Sequence, residues 1–397
     1  MTLSGRHVLL GVSGGIASYK SCTLARRLTE SGAAVDVVMT AGAQEFVRPA
    51  TFEALTGRPV LTSLWEPGRA LAHIGLARDP DLVIIAPATA HLLARAAMGL
   101  ADDLLTSLLL ARTSPILAAP AMNDRMYAHP ATRDNMATLA SRGWRFVGPA
   151  TGPLAEGPSD QPGRMSEPDD IFLEAVRWLR RGDSWFSGKR VVVTAGPTRE
   201  PLDPIRVLTN RSSGRMGFAL ASAAWRRGAE VTLIAGPTPL PMPHGPDAVR
   251  FQSTAELHDA VAQHLPEADC LIMAAAPADF RPATPSAHKK GRAHGAMTLE
   301  LEATPDVLEG TRKRRKRGAV VVGFAYETER GLERAREKLA RKALDLIVVN
   351  YAGDPGAGAE VDTNRVTLLT PGQADEVPLL PKPEVAERIL DAIEALR

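Results

Sequence analysis

Short, uninterrupted apolar runs recur along the chain, and most of them end in small or polar residues. In the first half these are residues 7–10 (HVLL), Val35–Met39, Asp81–Ala86 and Ile116–Ala119. In the second half they are Val191–Val193, the segment around Val231, Asp269–Met273, Val320–Phe324 and Leu344–Asn350. Runs of this length without alternation predict strands buried on both faces, as in parallel sheets. Between them the pattern turns helical: after Gly11–Lys20 through Arg27, over Ile171–Arg181, from Arg215 onward, over Glu329–Ala343 and over Pro383–Leu396. Short strands are expected at Thr298–Leu301 and Val366–Leu369, and Pro305–Leu308 opens a helix. Arg227-Gly228-Ala229-Glu230-Val231 mirrors Ser31-Gly32-Ala33-Ala34-Val35, each turning from helix to strand. The expected fold class is therefore α/β, with two tandem doubly wound domains at 1–187 and 188–397 and a linker at 182–188.

Composition narrows the class. A chain of 397 residues exceeds one ordinary core. At 45% hydrophobic and 23% charged residues it reads as an average globular protein. A net charge of +2 supplies no global argument for nucleic acid or a membrane surface. Two cysteines in apolar contexts, Cys22 and Cys270, exclude a disulfide scaffold and fit a reducing cytoplasm. The start, MTLSGRHVLLGVSGG, does not read as a signal peptide, and no run of about 18 apolar residues occurs.

The candidate chemistry gathers where strands end. Ser13-Gly14-Gly15 turns from the first strand into a helix, without the dinucleotide spacing, and suits a mononucleotide phosphate or a plain turn. Pro87–Ala90 and Pro120–Asn123 follow two further strands, at the edge where open parallel sheets bind ligands. His73 precedes one of them, and its spacing alone fits a structural or a catalytic residue. The Gly/Pro-rich stretch 147–167 reads as a functional, disordered or lid-forming loop. In the second half the strand–loop–helix stretch Val191–Phe218 forms a natural anion site, with Asn210-Arg211-Ser212-Ser213-Gly214 ahead of the helix. Asp279 stands at a strand end, and Lys338 and Lys342 share a helix face. The run Arg312–Arg317 (RKRRKR) suits solvated charge at a helix end, phosphate attraction, or DNA contact, although no aromatic residue interleaves with it.

Taken together these motifs resemble the bacterial bifunctional phosphopantothenoylcysteine decarboxylase / phosphopantothenate–cysteine ligase of coenzyme A synthesis, over nearly the whole chain. The resemblance rests on GVSGGIASYK, AHIGLA, APATA, PAMNDRM and PGRM in the first half. In the second it rests on TAGPTREPLDPIR, TNRSSGRMGFALA, MAAAPADFRP, PDVL, VGFAYET and DLIVVN. It implies a flavodoxin-like flavoprotein domain followed by a Rossmann-like ligase domain. Ser13, Gly14 and Gly15 would hold FMN, with Thr40, Thr89 and Thr106 or Ser107 as further contacts. His73 would be catalytic, and Asn123 would grip the substrate's carboxylate and amide. FMN would oxidise the cysteinyl side to a thioaldehyde, an electron sink that lets CO2 leave.

The ligase domain would join 4′-phosphopantothenate to cysteine through an acyl-cytidylate made from CTP, with Mg²⁺ at the triphosphate. Asn210 would serve the second half-reaction. Met273, Ala274, Ala275, Asp279, Lys289, Pro305, Asp306, Val307, Leu308, Phe324, Lys338 and Lys342 would contact CTP. The metal ligands are unassigned. The family also implies a homo-oligomer, with trimeric flavin domains whose FMN sites draw on neighbouring chains and dimeric ligase domains.

Two departures qualify the resemblance. The family's lid reads Ala-Cys-Gly, its cysteine supplying the last proton, whereas this chain reads Leu154-Ala155-Glu156-Gly157. Glu156 takes that role if burial raises its pKa; otherwise the flavin domain is impaired and only the ligase works. The family's ligase lysine stands two places before a Lys-Lys pair, whereas this chain reads Ala287-His288-Lys289-Lys290. Lys289 is assigned here, with Lys290 or a rearranged loop as the alternative. A nucleotide-binding regulator touching DNA through Arg312–Arg317 is the reading from another class.

Overall fold

The structure is a computed structural model that describes residues 3–65, 80–289, 297–327, 331–351 and 353–397. The chain divides into two compact units, Met1–Leu179 and Arg180–Arg397. This break precedes the expected 187/188 boundary. Ser184 Oγ and Trp185 N both donate to Glu394 Oε1, and Phe186 is fully buried, so residues 184–186 are built into the second unit.

The first unit is built on a six-stranded parallel sheet. Its strands are β1 (His7–Val12), β2 (Ala34–Met39), β3 (Val60–Leu61), β4 (Leu82–Ala88), β5 (Ile116–Pro120) and β6 (Arg145–Phe146). Their order is β3-β2-β1-β4-β5-β6. Without the two-residue edge strand β3, the order is that of flavodoxin. β1 shows why the apolar runs are continuous. Val8, Leu10 and Val12 enter one hydrophobic cluster, while Leu9 enters the cluster on the other face. Helices Ser18–Glu30 and Pro168–Leu179 cover the first face; Ala90–Met98 and Leu104–Ala111 cover the second.

The second unit repeats the plan. Its strands are β7 (Arg190–Ala195), β8 (Arg199–Pro201), β9 (Val207–Thr209), β10 (Glu230–Ala235), β11 (Asp247–Arg250), β12 (Cys270–Met273), β13 (Phe280–Pro282), β14 (Leu301–Ala303), β15 (Val320–Glu327), β16 (Leu346–Tyr351), β17 (Thr363–Leu369) and β18 (Ala374–Pro381). The main sheet runs β11-β10-β7-β12-β15-β16-β17-β18. β16 is its last parallel strand; β17 and β18 add antiparallel pairings.

Two segments depart from the expectation. The short strand expected at Thr298–Leu301 lies further along, at β14, where Glu302 pairs with Arg281 of β13 at 2.7 Å. The polar loop after β7 contains the β8–β9 hairpin. Its turn is held by the Asp203 carboxylate, which accepts Ile205 N at 2.9 Å and Arg206 N at 2.8 Å.

The basic run is partly spent on structure. Arg315 Nη1 donates to Lys342 O and Ala343 O at 3.1 and 2.9 Å, and Nη2 donates to Leu308 O at 3.1 Å. Lys316 pairs with Asp269 at 2.7 Å.

Arg226 and Arg227, at the end of helix Arg215–Arg226, are buried against helix Lys382–Ala395. Glu387 receives Arg226 at 3.0 Å and Arg227 at 2.8 Å, and Asp391 and Glu394 add to Arg227. Burial alone would raise the Glu387 carboxyl, but the two guanidiniums outweigh it and hold it below the usual range. Its contribution to stability is therefore complete above about pH 5 and is lost as pH falls through the depressed value. Glu387→Gln leaves buried guanidinium charge short of a partner. It is expected to cost about 3 kcal/mol at neutral pH and to flatten the acid limb of stability. Calorimetric melts from pH 3 to pH 8 check both; an unchanged midpoint refutes the account.

Candidate active sites

In the first unit the carboxyl ends of β1, β2, β4 and β5 surround a cavity of ≈ 900 Å³. Ser13, Gly14, Gly15, Thr40, Thr89, Asn123 and Glu156 all line it. Each comes directly after a strand except Glu156, which the loop 147–167 brings in. Ser13 Oγ donates to Pro87 O at 2.7 Å and accepts from Thr89 N at 3.2 Å, tying the ends of β1 and β4 together. Gly14 makes the closest backbone approach: a Cβ there would stand 2.6 Å from the carbonyl carbon of Gly42. Thr40 and Thr89 cap the helices that follow β2 and β4. A strand-end turn this close to neighbouring backbone leaves N–H groups facing one hollow, which fits a phosphate.

The loop 147–167 is an antiparallel strap. Ala150 pairs with Arg164, and Leu154 pairs with Gly157, so Ala155 and Glu156 form its tip. Glu156 is exposed, so the burial on which its acid role was conditioned is absent from the protomer. Asn123 Nδ2 donates to its carboxylate, while Asn123 Oδ1 accepts Arg125 N at 2.8 Å. Neither cysteine stands in for the missing lid thiol. Cys270 is buried in β12 and Cys22 packs against the core, and burial pushes both thiols up.

Thr106 and Ser107 do not line this cavity. Thr106 Oγ1 donates to Asp103 Oδ1 at 2.7 Å and accepts Asp103 N at 3.2 Å, a closed helix cap. Ser107 Oγ donates to Ala101 O at 3.2 Å. His73 lies outside the described residues.

The sequence reading missed Lys20, Arg95 and Arg164, which do line the cavity. Lys20 is buried and pairs with Glu167 at 2.9 Å; that ammonium is the main reason the Glu167 carboxyl is lowered. Arg95 is held by Asp102 and Asp103.

In the second unit a cavity of ≈ 610 Å³ opens at the carboxyl edge of β7, β12, β15 and β16. It is lined by Asn210, Met273, Ala274, Ala275, Asp279, Pro305, Asp306, Val307, Leu308, Phe324, Lys338 and Lys342. Lys338 Nζ donates to Phe324 O at 2.7 Å, and Lys342 pairs with Asp306 at 2.7 Å. Burial first, then the Lys342 charge, lower the Lys338 ammonium. For Asp306 burial works upward, but the Lys342 hydrogen bond wins and lowers it. Asn210 Nδ2 donates to Pro277 O at 2.8 Å, which fixes the amide plane.

Lys289 is exposed and does not line this cavity, and Lys290 lies outside the described residues. Among the described residues no group of three His, Cys, Asp or Glu side chains could hold a metal ion. Among them, too, no helix is long and apolar enough to cross a membrane. Lys382 and Asn364 also line the cavity, and nothing in their local sequence marked them.

The comparisons agree with this division. Residues 1–180 match the family model described as "Flavoprotein", and residues 186–396 match "DNA/pantothenate metabolism flavoprotein C-terminal domain". A coenzyme A biosynthesis bifunctional protein CoaBC of Vibrio cholerae is 44% identical over 396 residues, covering 99% of this chain and 98% of its own. The Mycobacterium bovis protein of the same name is 47% identical over 403 residues, covering 98% and 96%. That of Bacillus subtilis is 44% identical over 399 residues, covering 99% and 98%. Among solved structures, the C-terminal domain of a CoaBC protein aligns at TM-score 0.45 and 39% identity, over 53% of this chain and 96% of its own. The FMN-dependent cysteine decarboxylase SpaF aligns at TM-score 0.37 and 34% identity, over 41% and 91%.

Matches to bifunctional proteins run through both halves, so the comparisons do not support a protein whose flavin domain is impaired by Glu156 and whose ligase alone works, nor a DNA-contacting regulator. The chain belongs to the family of bifunctional coenzyme A biosynthesis proteins, which pair a flavin-dependent phosphopantothenoylcysteine decarboxylase domain with a phosphopantothenate–cysteine ligase domain.

Proposed function

We propose that the two activities divide between the two cavities, with FMN and the phosphopantothenoylcysteine carboxylate in the first, and CTP, 4′-phosphopantothenate and cysteine in the second. The observation that carries the ligase half is the meeting of Lys338, Lys342, Asp279 and Asn210 around one cavity. Lys338 and Lys342 bind the triphosphate. Mg²⁺, entering with the nucleotide, would neutralise its phosphate charge, and Asp279 and Asp306 are the cavity carboxylates that would hold it. The substrate carboxylate attacks the α-phosphorus of CTP and pyrophosphate leaves. The amine of cysteine then attacks the acyl carbon and CMP leaves. Asn210, fixed through Pro277, orients the acyl group for that attack. Lys289 keeps the ligase role that the resemblance implies, although it is not among the residues lining this cavity.

The first cavity supports FMN through the Ser13-Gly14-Gly15 turn, with Thr40 and Thr89 on either side. Bound flavin supplies the reversible oxidation that makes the carboxylate labile. Asn123 holds the substrate carboxylate and amide. Glu156, in contact with Asn123, sits where it can return a proton to the product once substrate and strap exclude water. His73 keeps the catalytic role that the resemblance implies. This reading goes with a cytoplasmic location and a homo-oligomer, trimeric through flavin domains and dimeric through ligase domains. Exposed Ile16 and Tyr19 in the first unit, and Ile205, Val207 and Leu208 around the β8–β9 hairpin in the second, offer apolar surface for it.

The purified protein is expected to be yellow and to release pyrophosphate only with CTP and 4′-phosphopantothenate present; a colourless protein inert to CTP refutes both halves. Lys342→Ala should raise the KM for CTP about tenfold or more through a lost charge-assisted contact, leaving flavin absorbance unchanged. Glu156→Gln should slow 4′-phosphopantetheine release about a hundredfold while the ligase rate holds. Equal release rates remove Glu156 from the mechanism.

A further inference from the structure

Asn210 stands on exposed chain. Val207, Leu208 and Thr209 of β9 and Asn210 itself are exposed, so burial does not set where the amide points. Its ties to the fold meet at or beside Thr198. β9 pairs with β8, Arg199 opposite Thr209, and β8 begins directly after Thr198. Thr209 Oγ1 donates to Thr198 O at 2.6 Å. Asn210 Nδ2 donates to Pro277 O at 2.8 Å, and on the same peptide unit Ala278 N donates to Thr198 Oγ1 at 2.9 Å.

That peptide unit is the link. A peptide is planar, and its C=O and N–H point opposite ways. Pro277 and Ala278 therefore offer Asn210 one edge of a rigid plate and Thr198 the other. Turning the plate turns the amide of Asn210. Bonding of the N–H also polarises the C=O that Asn210 uses.

The neighbouring backbone explains why a threonine serves here. Residues 196–198 run parallel to 276–278: Ala276 N donates to Gly196 O at 2.9 Å, and Pro197 pairs with Ala276. A continued parallel ladder would place Ala278 N on Thr198 O. The hydroxyl of Thr198 takes that N–H instead, which frees the Thr198 carbonyl for Thr209. Thr198 is fully buried, and its hydroxyl lies 3.4 Å from that of Thr254. Thr254 donates to Glu200 Oε1 from both N and Oγ1, each at 2.8 Å, and both residues are buried. A satisfied buried network of this kind holds its members in one arrangement.

We propose that Thr198 is a positioning residue for the second half-reaction of the ligase: its hydroxyl, through the 277–278 peptide, and its carbonyl, through Thr209, aim the amide of Asn210 at the acyl group. This rests on the role given to Asn210 above. Pro277 and Ala278 line the cavity, whereas Thr198 and Thr209 do not, so both threonines act through Asn210 and not on substrate. The nucleotide side has an anchor of its own. Thr304 N donates to Asp279 O at 2.9 Å, and Thr304 Oγ1 donates to Ala278 O at 2.6 Å. The competing role, a brace for the hairpin alone, would slow both half-reactions alike.

The experiment separates the half-reactions in the full-length protein. Pyrophosphate released from CTP and 4′-phosphopantothenate without cysteine reports the first, and CMP released on adding cysteine reports the second. Thr198→Val and Thr209→Val should each slow the CMP step about tenfold or more and leave the pyrophosphate burst within about twofold of the parent. Thr198→Ser and Thr209→Ser keep the hydroxyl and should restore most of the rate. Should Thr198→Val fail to fold, the variant at exposed Thr209 decides alone. Either folded valine variant releasing CMP at the parent rate overturns the proposal, as does an equal fall in both steps. Asn210→Ala is the control: a parent CMP rate there refutes the role assigned to Asn210, which is a separate failure.

Discussion

Burial of the parallel strands on both faces is the constraint from which the rest follows. Leu9 and its neighbours in β1 enter hydrophobic clusters on opposite sides of one sheet, so no polar group fits along the strand. Most polar groups are pushed to the ends, and the exception in β2, Asp36, is paired by His7 and Arg58. At the carboxyl ends the chain must turn into a helix, and the first turn of that helix has N–H groups with no partner inside it. Both cavities are thus a consequence of covering a sheet completely, and both lie where that covering stops.

The two units use this edge differently. In the first, hydroxyls and close glycine packing bring backbone amides together: Ser13 bridges β1 and β4, and Gly14 lies against Gly42. Its cations, Lys20 and Arg95, are already matched by Glu167, Asp102 and Asp103. In the second, charge dominates. Lys338 is half-buried and feels the Lys342 charge, and Lys342 is shared with Asp306. A flavin needs a shaped apolar slot with one phosphate end, whereas a triphosphate needs cations that can gain partners.

The legibility of the sequence follows the same division. Continuous apolar runs such as HVLL and DLVII are visible because each strand is apolar on both sides. Candidate residues such as Ser13 and Asn123 stand out because they come within three residues of those runs, whereas Asp306 follows the exposed β14 and rests on the resemblance alone. Helix Leu104–Ala111 is hidden in the sequence because Leu-Leu-Thr-Ser-Leu-Leu-Leu-Ala is apolar nearly all round and shows no 3.6 period. The β8–β9 hairpin is hidden in the sequence because Pro201 and Pro204 mask it and the Asp203 turn acts through backbone amides. The resemblance offers Thr106 or Ser107 as a flavin contact, and the hydroxyl of Thr106 gives no sign in the sequence that it closes a helix cap with Asp103. Lys20 and Lys382 gave no signal at all. Their burial depends on segments far away in the chain, Glu167 and Ala359 respectively.

The anchoring of Arg315 has a practical consequence. Its guanidinium grips the carbonyls of Lys342 and Ala343, just past the end of helix Gly331–Arg341, which carries Lys338 of the second cavity. Neutralising the RKRRKR run, the usual probe for polynucleotide contact, would loosen that helix end as well as remove surface charge. A phenotype from such a scan would report on a splayed active site, and only substitutions that spare Arg315 and Lys316 could separate the two effects.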